Sequence, residues 1–240
     1  MSNDLMARLG EFDTPTICNT IELFDVRPRN VGFMDMRIQC NFPELPPMVG
    51  YASTALFGSD HQKGGRPNYE LLAEQMGDFA KLPGPAVVVV QDIDDPPVSA
   101  TFGDIMCSAY KAFGAAGLIT SGAGRDLDQV QAIGFPVFTG STICAHGYCH
   151  FKELDVPLRI GGMTIHPGDL LHGDRNGVTT IPKDIANEIP DAARQFADVE
   201  GQLISYLKEP SPTPAGVVEH FEQLRQRSME LSKSVQSKGR

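Results

Sequence analysis

The chain has 240 residues, 41% of them hydrophobic and 21% charged, which is enough apolar material for one self-sufficient core and too much for a disordered or fibrous chain. Thirty acidic against twenty basic residues leave a formal charge of −10, which argues against nucleic-acid binding because nothing offsets phosphate repulsion. Five cysteines, an odd number behind a polar start, read as reduced thiols in a cytoplasmic protein, and no apolar run approaches the roughly 20 residues that cross a membrane.

Along the chain, Asp13-Thr14-Pro15 is a helix-start signal, and Ile17, Ile21 and Phe24 follow at helical spacing. Residues 27–48 are rich in Pro and Asn and show little periodicity; 50–56 alternate as a strand, 58–68 read as a polar loop, and 69–80 as an amphipathic helix closed by Lys81 and Pro83. Residues 86–90 form an unbroken apolar run, the mark of a strand covered on both faces. A loop over 92–102 leads to Asp104, where a helix begins with Ile105, Ala109, Ala112 and Phe113 in register. Then come a strand at 118–120, a turn at 121–124 presenting Arg125-Asp126, a short helix at 127–133 and a strand at 135–139. The alternation predicts parallel βαβ units, whose ligands bind at the carboxyl ends of the strands. Both the Asp104 loop and the Arg125-Asp126 loop should open on that edge.

Beyond 150 the pattern changes to short strands and turns: 157–160, Gly161-Gly162, 163–166, and 173–177 before 178–181, with Asn176-Gly177 as a hairpin signal. Two helices close the chain, about 190–207 and 217–235, separated by Pro210, Pro212 and Pro214. The organisation expected is one catalytic domain over 1–207, followed by a Pro-rich link and C-terminal helix over 208–240.

Asp104, twenty intervening residues and Arg125-Asp126 form the constellation with most chemistry in it. Carboxylates at strand ends suit a hard cation such as magnesium or manganese, which keeps several waters. A neighbouring arginine can bind an oxyanion through two parallel N–H groups. The helix starting at Asp104 offers free N–H groups at Ile105 and Met106 to a substrate carboxylate. The plainer alternative is a helix cap beside a surface turn.

The run Gly117-Leu-Ile-Thr-Ser-Gly-Ala-Gly-Arg-Asp126, with Gly134-Phe-Pro-Val-Phe138, Pro167-Gly-Asp169 and Gly173-Asp-Arg-Asn-Gly-Val178, resembles the RraA-like family over roughly 12–207. That family includes metal-dependent, class II 4-hydroxy-4-methyl-2-oxoglutarate aldolases, whose mark is the acid-x20-Arg-Asp spacing. The resemblance implies an α/β fold: an α-β-β-α sandwich of the swivelling β/β/α type with parallel βαβ units and C-terminal helices, assembled as a homotrimer or dimer of trimers. It implies that Asp126 ligates Mg2+ or Mn2+ and that Asp104 holds water on the metal. Arg125 would then contact the 2-oxo acid and stabilise its enolate, and Gly103, Asp104, Ile105 and Met106 would cradle the pyruvyl carboxylate. The activity implied is retro-aldol release of pyruvate from 4-hydroxy-2-oxo acids, with oxaloacetate decarboxylation beside it. The competing reading within the family is a non-catalytic protein that binds and inhibits an endoribonuclease. Ser121 departs from the aspartate common there, which bears on the substrate more than on the reaction class.

Cys144, His146, Cys149 and His150 cluster in sequence, but their spacing matches no zinc pattern, and buried thiols are common. His61, His166, His172 and His220 are isolated and read as surface or packed histidines. Gly64-Gly65 and Gly161-Gly162 are read as turns, and Glu200 as a solvated residue or one that reaches a neighbouring subunit. Val217, Phe221, Leu224 and Leu231 form an apolar stripe that suits either the core or a subunit contact.

Overall fold

The computed structural model describes residues 2–61 and 67–238, so Gly64-Gly65 lie outside the described residues. A helix α1 (Ser2–Leu9), which the polar start did not suggest, precedes α2 (Thr14–Phe24). Asp13 caps α2 by accepting the Thr16 N–H at 2.8 Å, and Pro15 occupies a first-turn position where no N–H is needed. Ile17, Ile21 and Phe24 are all buried.

A short β1 (Gln39–Cys40) leads to β2 (Met48–Gly58), which is longer than expected and buried on both faces instead of alternating. Next come α3 (Asn68–Asp78), β3 (Ala86–Asp92), a short β4 (Ala100–Phe102) inside the expected loop, α4 (Asp104–Ala112), β5 (Gly117–Gly124), α5 (Leu127–Ala132) and β6 (Val137–Thr142). The rest comprises β7 (His150–Leu154), β8 (Leu158–Ile160), β9 (Met163–Ile165), β10 (Leu170–Asp174), β11 (Gly177–Ile181), α6 (Ile189–Leu207) and α7 (Pro214–Lys238).

The main sheet runs β1-β6-β5-β3-β2-β10-β11, with β4 beside β5 and β7 beside β2. Its centre, β2, β3, β5 and β6, is parallel, and β1, β7, β10 and β11 add antiparallel pairs. Because the parallel strands follow one another in space as in sequence, α3, α4 and α5 all fall on one face. There they cover Ala55, Val88, Val90, Leu118 and Val137. Helices α1, α2, α6 and α7 continue that layer over Val49, Tyr51, Leu170 and Ile181. On the other face the β8–β9 hairpin and the 34–38 segment cover Ala52, Val87, Val89 and Ile119. The layers are therefore hairpin, sheet and helices, a β/β/α arrangement, and β2 is apolar throughout because neither of its faces meets water.

Three local expectations need correction. Residues 121–124 are the end of β5 and not a turn: β4 and β6 supply partners there, Ala100 opposite Ala123 and Thr142 opposite Gly124, with a bulge near Ser121. The run Ser-Gly-Ala-Gly looked like a turn because its glycines answer to packing. A Cβ on Gly124 would stand 2.3 Å from the Phe102 ring, and one on Gly122 2.6 Å from the Asp92 carboxylate. The strand read at 135–139 is Val137–Thr142. Finally, the two residues between the paired Asp174 and Gly177 are Arg175 and Asn176, so Asn-Gly closes the hairpin without being its central pair. Gly161 and Gly162 do form a tight hairpin turn, both at positive φ.

The C-terminal apolar stripe divides. Leu231 is buried with Val235 in the core formed with α2 and α6, whereas Phe221 is 55% exposed.

Candidate active site

Asp104, Arg125 and Asp126 meet at the carboxyl edge of the sheet. Extended Gly103 precedes α4, placing Asp104 as its first residue. Arg125 is tied to β4 by its N–H, which donates to the Phe102 carbonyl at 3.2 Å. Asp126 then adopts the left-handed region, φ +57, just before α5, an unusual conformation for a residue with a Cβ. That turn brings its Oδ2 to 3.3 Å from the Asp104 N–H and 3.5 Å from Arg125 Nε. A Cβ on Gly103 would lie 2.6 Å from the same oxygen, so only glycine leaves the Asp126 carboxylate its place.

Asp104 turns its own Oδ1 onto the Ile105 N–H at 2.8 Å. Two backbone donors of the 103–106 segment, at Asp104 and Ile105, are thus already engaged by carboxylate oxygens of the chain itself. The Arg125 and Asp126 side chains are each about a third exposed, and Ile105 stands open at the rim. Beneath them Cys107 is fully buried. Its thiol is pushed far up, first by burial and then by the charges of Asp104 and Asp126.

A divalent cation is the cofactor to test against these groups. Among the described residues no three His, Cys, Asp or Glu side chains are arranged to hold a metal. What the site offers is two carboxylates in a water-accessible setting. That donor set fits magnesium or manganese, which bind through one or two carboxylates and keep their waters, and it does not fit a closed zinc shell.

The segment 143–149 straps across this edge. The Ile143 N–H donates to the Gly124 carbonyl at 3.1 Å, Ala145 accepts from the Ala100 N–H at 2.8 Å, and the Tyr148 N–H reaches Ser59 at 3.3 Å. His150 then pairs with Gly58 at the end of β2. Asn68, the first residue of α3, fastens the strap: its amide donates to the Cys149 carbonyl, and its oxygen accepts the Phe151 N–H at 3.2 Å. Burial raises the Cys149 thiol, against which the nearby Arg125 charge and then the Asn68 amide act. The strap therefore lies within the field of the site arginine. Cys144 is exposed, and His146 Nδ1 lies 2.9 Å from the Gly147 carbonyl.

Sequence reading missed Asn68, the strap and Asp92. Asp92 ends β3 with one oxygen accepting the Asp94 N–H at 3.0 Å and the other buried without a partner. Desolvation pushes it up to about 6. A polar residue following an apolar strand was its only signal. The remaining histidines are structural or peripheral. His172 is buried between Thr14 and the Leu9 carbonyl and shifted down by that burial, His220 stacks on Tyr206, and His166 is exposed. Glu200 on α6 is raised by partial burial and by the neighbouring charge of Asp13. No helix among the described residues is long and apolar enough to cross a membrane.

Comparison with known proteins bears on the family and the fold. The RraA-like family model, described as Aldolase/RraA, matches residues 14–180. A Halalkalibacterium halodurans protein named "Putative 4-hydroxy-4-methyl-2-oxoglutarate aldolase" is 38% identical over 120 residues, 49% of this chain and 57% of its own length. One of the same name from Ectopseudomonas mendocina is 30% identical over 106 residues, 42% of this chain and 64% of its own. The chain thus spans somewhat more than half the length of these curated relatives. In structure, an uncharacterized Pseudomonas syringae pv. tomato protein superposes with a TM-score of 0.70 at 22% identity, covering 96% of this chain and 95% of that one. Streptomyces coelicolor RraAS2, described as an unusual member of the RNase ES inhibitor RraA family, gives 0.65 at 22% over 83% and 94%. With the family model covering most of its length and the fold shared from end to end, this chain belongs to the RraA-like family.

Proposed function

We propose that the chain is a divalent-metal-dependent lyase that releases pyruvate from 4-hydroxy-2-oxo acids such as 4-hydroxy-4-methyl-2-oxoglutarate, and that it decarboxylates oxaloacetate through the same enolate. The observation that carries this reading is the junction of Asp104, Arg125 and Asp126 at one strand edge, with Asp126 Oδ2 3.5 Å from Arg125 Nε.

In this reading Asp126 holds Mg2+ or Mn2+, and Asp104 orients the water around it. The bound ion supplies Lewis-acid stabilisation to the developing enolate. Arg125 directs its planar fork at the 2-oxo acid and stabilises the negative charge as it forms, which is usually the largest electrostatic contribution available to such a site. The N–H groups of Asp104 and Ile105 receive the pyruvyl carboxylate in place of the oxygens they now hold, with Gly103 and Met106 completing the cradle. A homotrimer or dimer of trimers is the assembly proposed, and exposed Ile204, Leu207, Val218 and Phe221 on α6 and α7 supply apolar surface for subunit contact.

Chelation tests the cofactor. Treatment with EDTA should silence pyruvate release, and magnesium or manganese should restore it, because the ligands are oxygens. Restoration by zinc alone would contradict the oxygen-ligand assignment.

A further inference from the structure

A guanidinium drawn partly out of water keeps its charge, so it calls for an anion or a full set of acceptors. Arg27, on the loop after α2, is half-buried and lies against Gly32, where any Cβ would overlap its guanidinium. Its acceptors are all neutral. Nη1 donates to the Thr180 carbonyl at 3.0 Å and to the Thr180 hydroxyl at 2.8 Å, and Nη2 donates to the Thr179 hydroxyl at 3.1 Å. Among the described residues no carboxylate pairs with Arg27, and nothing takes its Nε–H or its second Nη2 hydrogen. Nε and Nη2 sit side by side on one edge of the guanidinium, the fork that receives a carboxylate through two parallel bonds. Burial lowers Arg27, and Cys18 is the one charge acting in the opposite sense.

The arginine lines a cavity. Between α2, the 27–34 loop and the start of β11 lies a space of about 320 Å3, within the roughly 300–1,000 Å3 of ordinary ligand sites. Val31, Phe33 and Met34 give it apolar walls, and Asn19 adds an amide that has no side-chain partner among the described residues. The other charges nearby are engaged. Glu22 pairs with Arg29 at 3.3 Å, and buried Asp174 holds the Thr14 N–H and the Asn176 amide. Arg27 is left without a counter-charge. Strands β10 and β2 separate β11 from β3, so this cavity is apart from the Asp104, Arg125 and Asp126 junction.

We propose that the cavity beside α2 is a second ligand site, which binds a small organic acid with its carboxylate on the Arg27 fork and its apolar body against Val31, Phe33 and Met34. The proposal does not rest on the lyase reading.

Cys18 reports occupancy, because it lines the same cavity and shares the Thr179 hydroxyl with Arg27. Benzoate is the probe, and benzamide is its uncharged counterpart of the same shape. The full chain is labelled with iodoacetamide at about pH 8.5, where thiols begin to ionise, and labelling is read by peptide mass spectrometry at Cys18 and at exposed Cys144. Saturating benzoate should slow Cys18 labelling on the order of 10-fold and leave Cys144 unchanged. Benzamide should give little protection. Arg27→Gln keeps an amide donor near the Thr180 carbonyl but loses the fork and the charge. It should weaken the benzoate effect on the order of 10-fold to 100-fold, judged as the ratio with and without probe because the substitution also alters the thiol. Equal protection by benzamide overturns the proposal, and so does equal slowing at Cys144 or an undiminished effect in the variant. No protection of Cys18 at about 10 mM benzoate overturns it as well. The comparison of benzoate with benzamide uses the wild type alone, so it stands even where Arg27→Gln fails to fold.

Discussion

At the scale of single residues, the site depends on what glycine and aspartate can do and other residues cannot. Gly103 makes room for the Asp126 carboxylate, and Asp126 tolerates the left-handed conformation better than most side chains because its short polar group can bond locally. That Asp104, Arg125 and Asp126 come together was legible in the sequence because one helix and one strand of ordinary length separate them, while their reading as a site came from the family resemblance, since spacing alone left a helix cap beside a surface turn open. Asn68 was not, because hydrogen bonds to Cys149 and Phe151, far along the chain, fasten it to the strap, and no local pattern encodes that. Arg125 gives the sharpest residue-scale prediction. Arg125→Lys keeps the charge but replaces the planar fork with a point donor. Removing one preorganised oxyanion donor costs on the order of 100-fold to 1000-fold in kcat, and lysine replaces part of it. A drop of roughly 10-fold to 100-fold in kcat is expected for both aldol cleavage and oxaloacetate decarboxylation, with KM raised. Steady-state kinetics on the two substrates check this, and a rise in KM at unchanged kcat would mean that Arg125 serves binding only.

At the scale of elements, the carboxyl ends of β3 and β5 carry both the chemistry and a cost in stability. Asp92 closes β3 against Gly122 of β5 with one oxygen unpartnered, and burial raises it from 3.8 to about 6. Between those values the folded chain holds a proton that the unfolded chain has released, so stability falls as pH rises through about 4 to 6. Asp92→Asn keeps an acceptor for the Asp94 N–H and removes the ionisation. The variant should be more stable than wild type by about 1–3 kcal/mol at pH 7, and the difference should vanish near pH 4. Denaturant melts at the two pH values measure it; a constant difference at both would show that Asp92 does not ionise against burial. The end of β5 also shows why sequence patterns mislead here. A stretch rich in glycine resembles a turn, yet each glycine answers to a neighbour, Asp92 or Phe102, that only the folded sheet supplies. β2 misled in the opposite sense, since its alternation was incidental once both of its faces were covered.

At the scale of the molecule, the order of elements was readable because helices and parallel strands repeat with their own periodicities between Gly and Pro breaks. The layering followed from it, since successive parallel crossovers put their helices on one face and leave the other to the β8–β9 hairpin. The packing of α7 could not be read, because its stripe is apolar throughout while, among the described residues, only Leu231 and Val235 of its apolar side chains are buried, against α2 and α6. The same frame supports an enzyme or a regulator, so the site residues decide between them. The most direct measurement is magnesium-dependent pyruvate release from 4-hydroxy-4-methyl-2-oxoglutarate by the wild type and by Asp126→Ala, with melting of both recorded. Asp126 is a partly exposed loop-end side chain, and removing it leaves no buried hole. Wild-type turnover that rises with magnesium, beside a variant that still melts cooperatively, though lower because alanine fits φ +57 less well than aspartate, and that has less than about a tenth of that rate, is the predicted result; a variant that retains more than this at saturating magnesium would contradict the account.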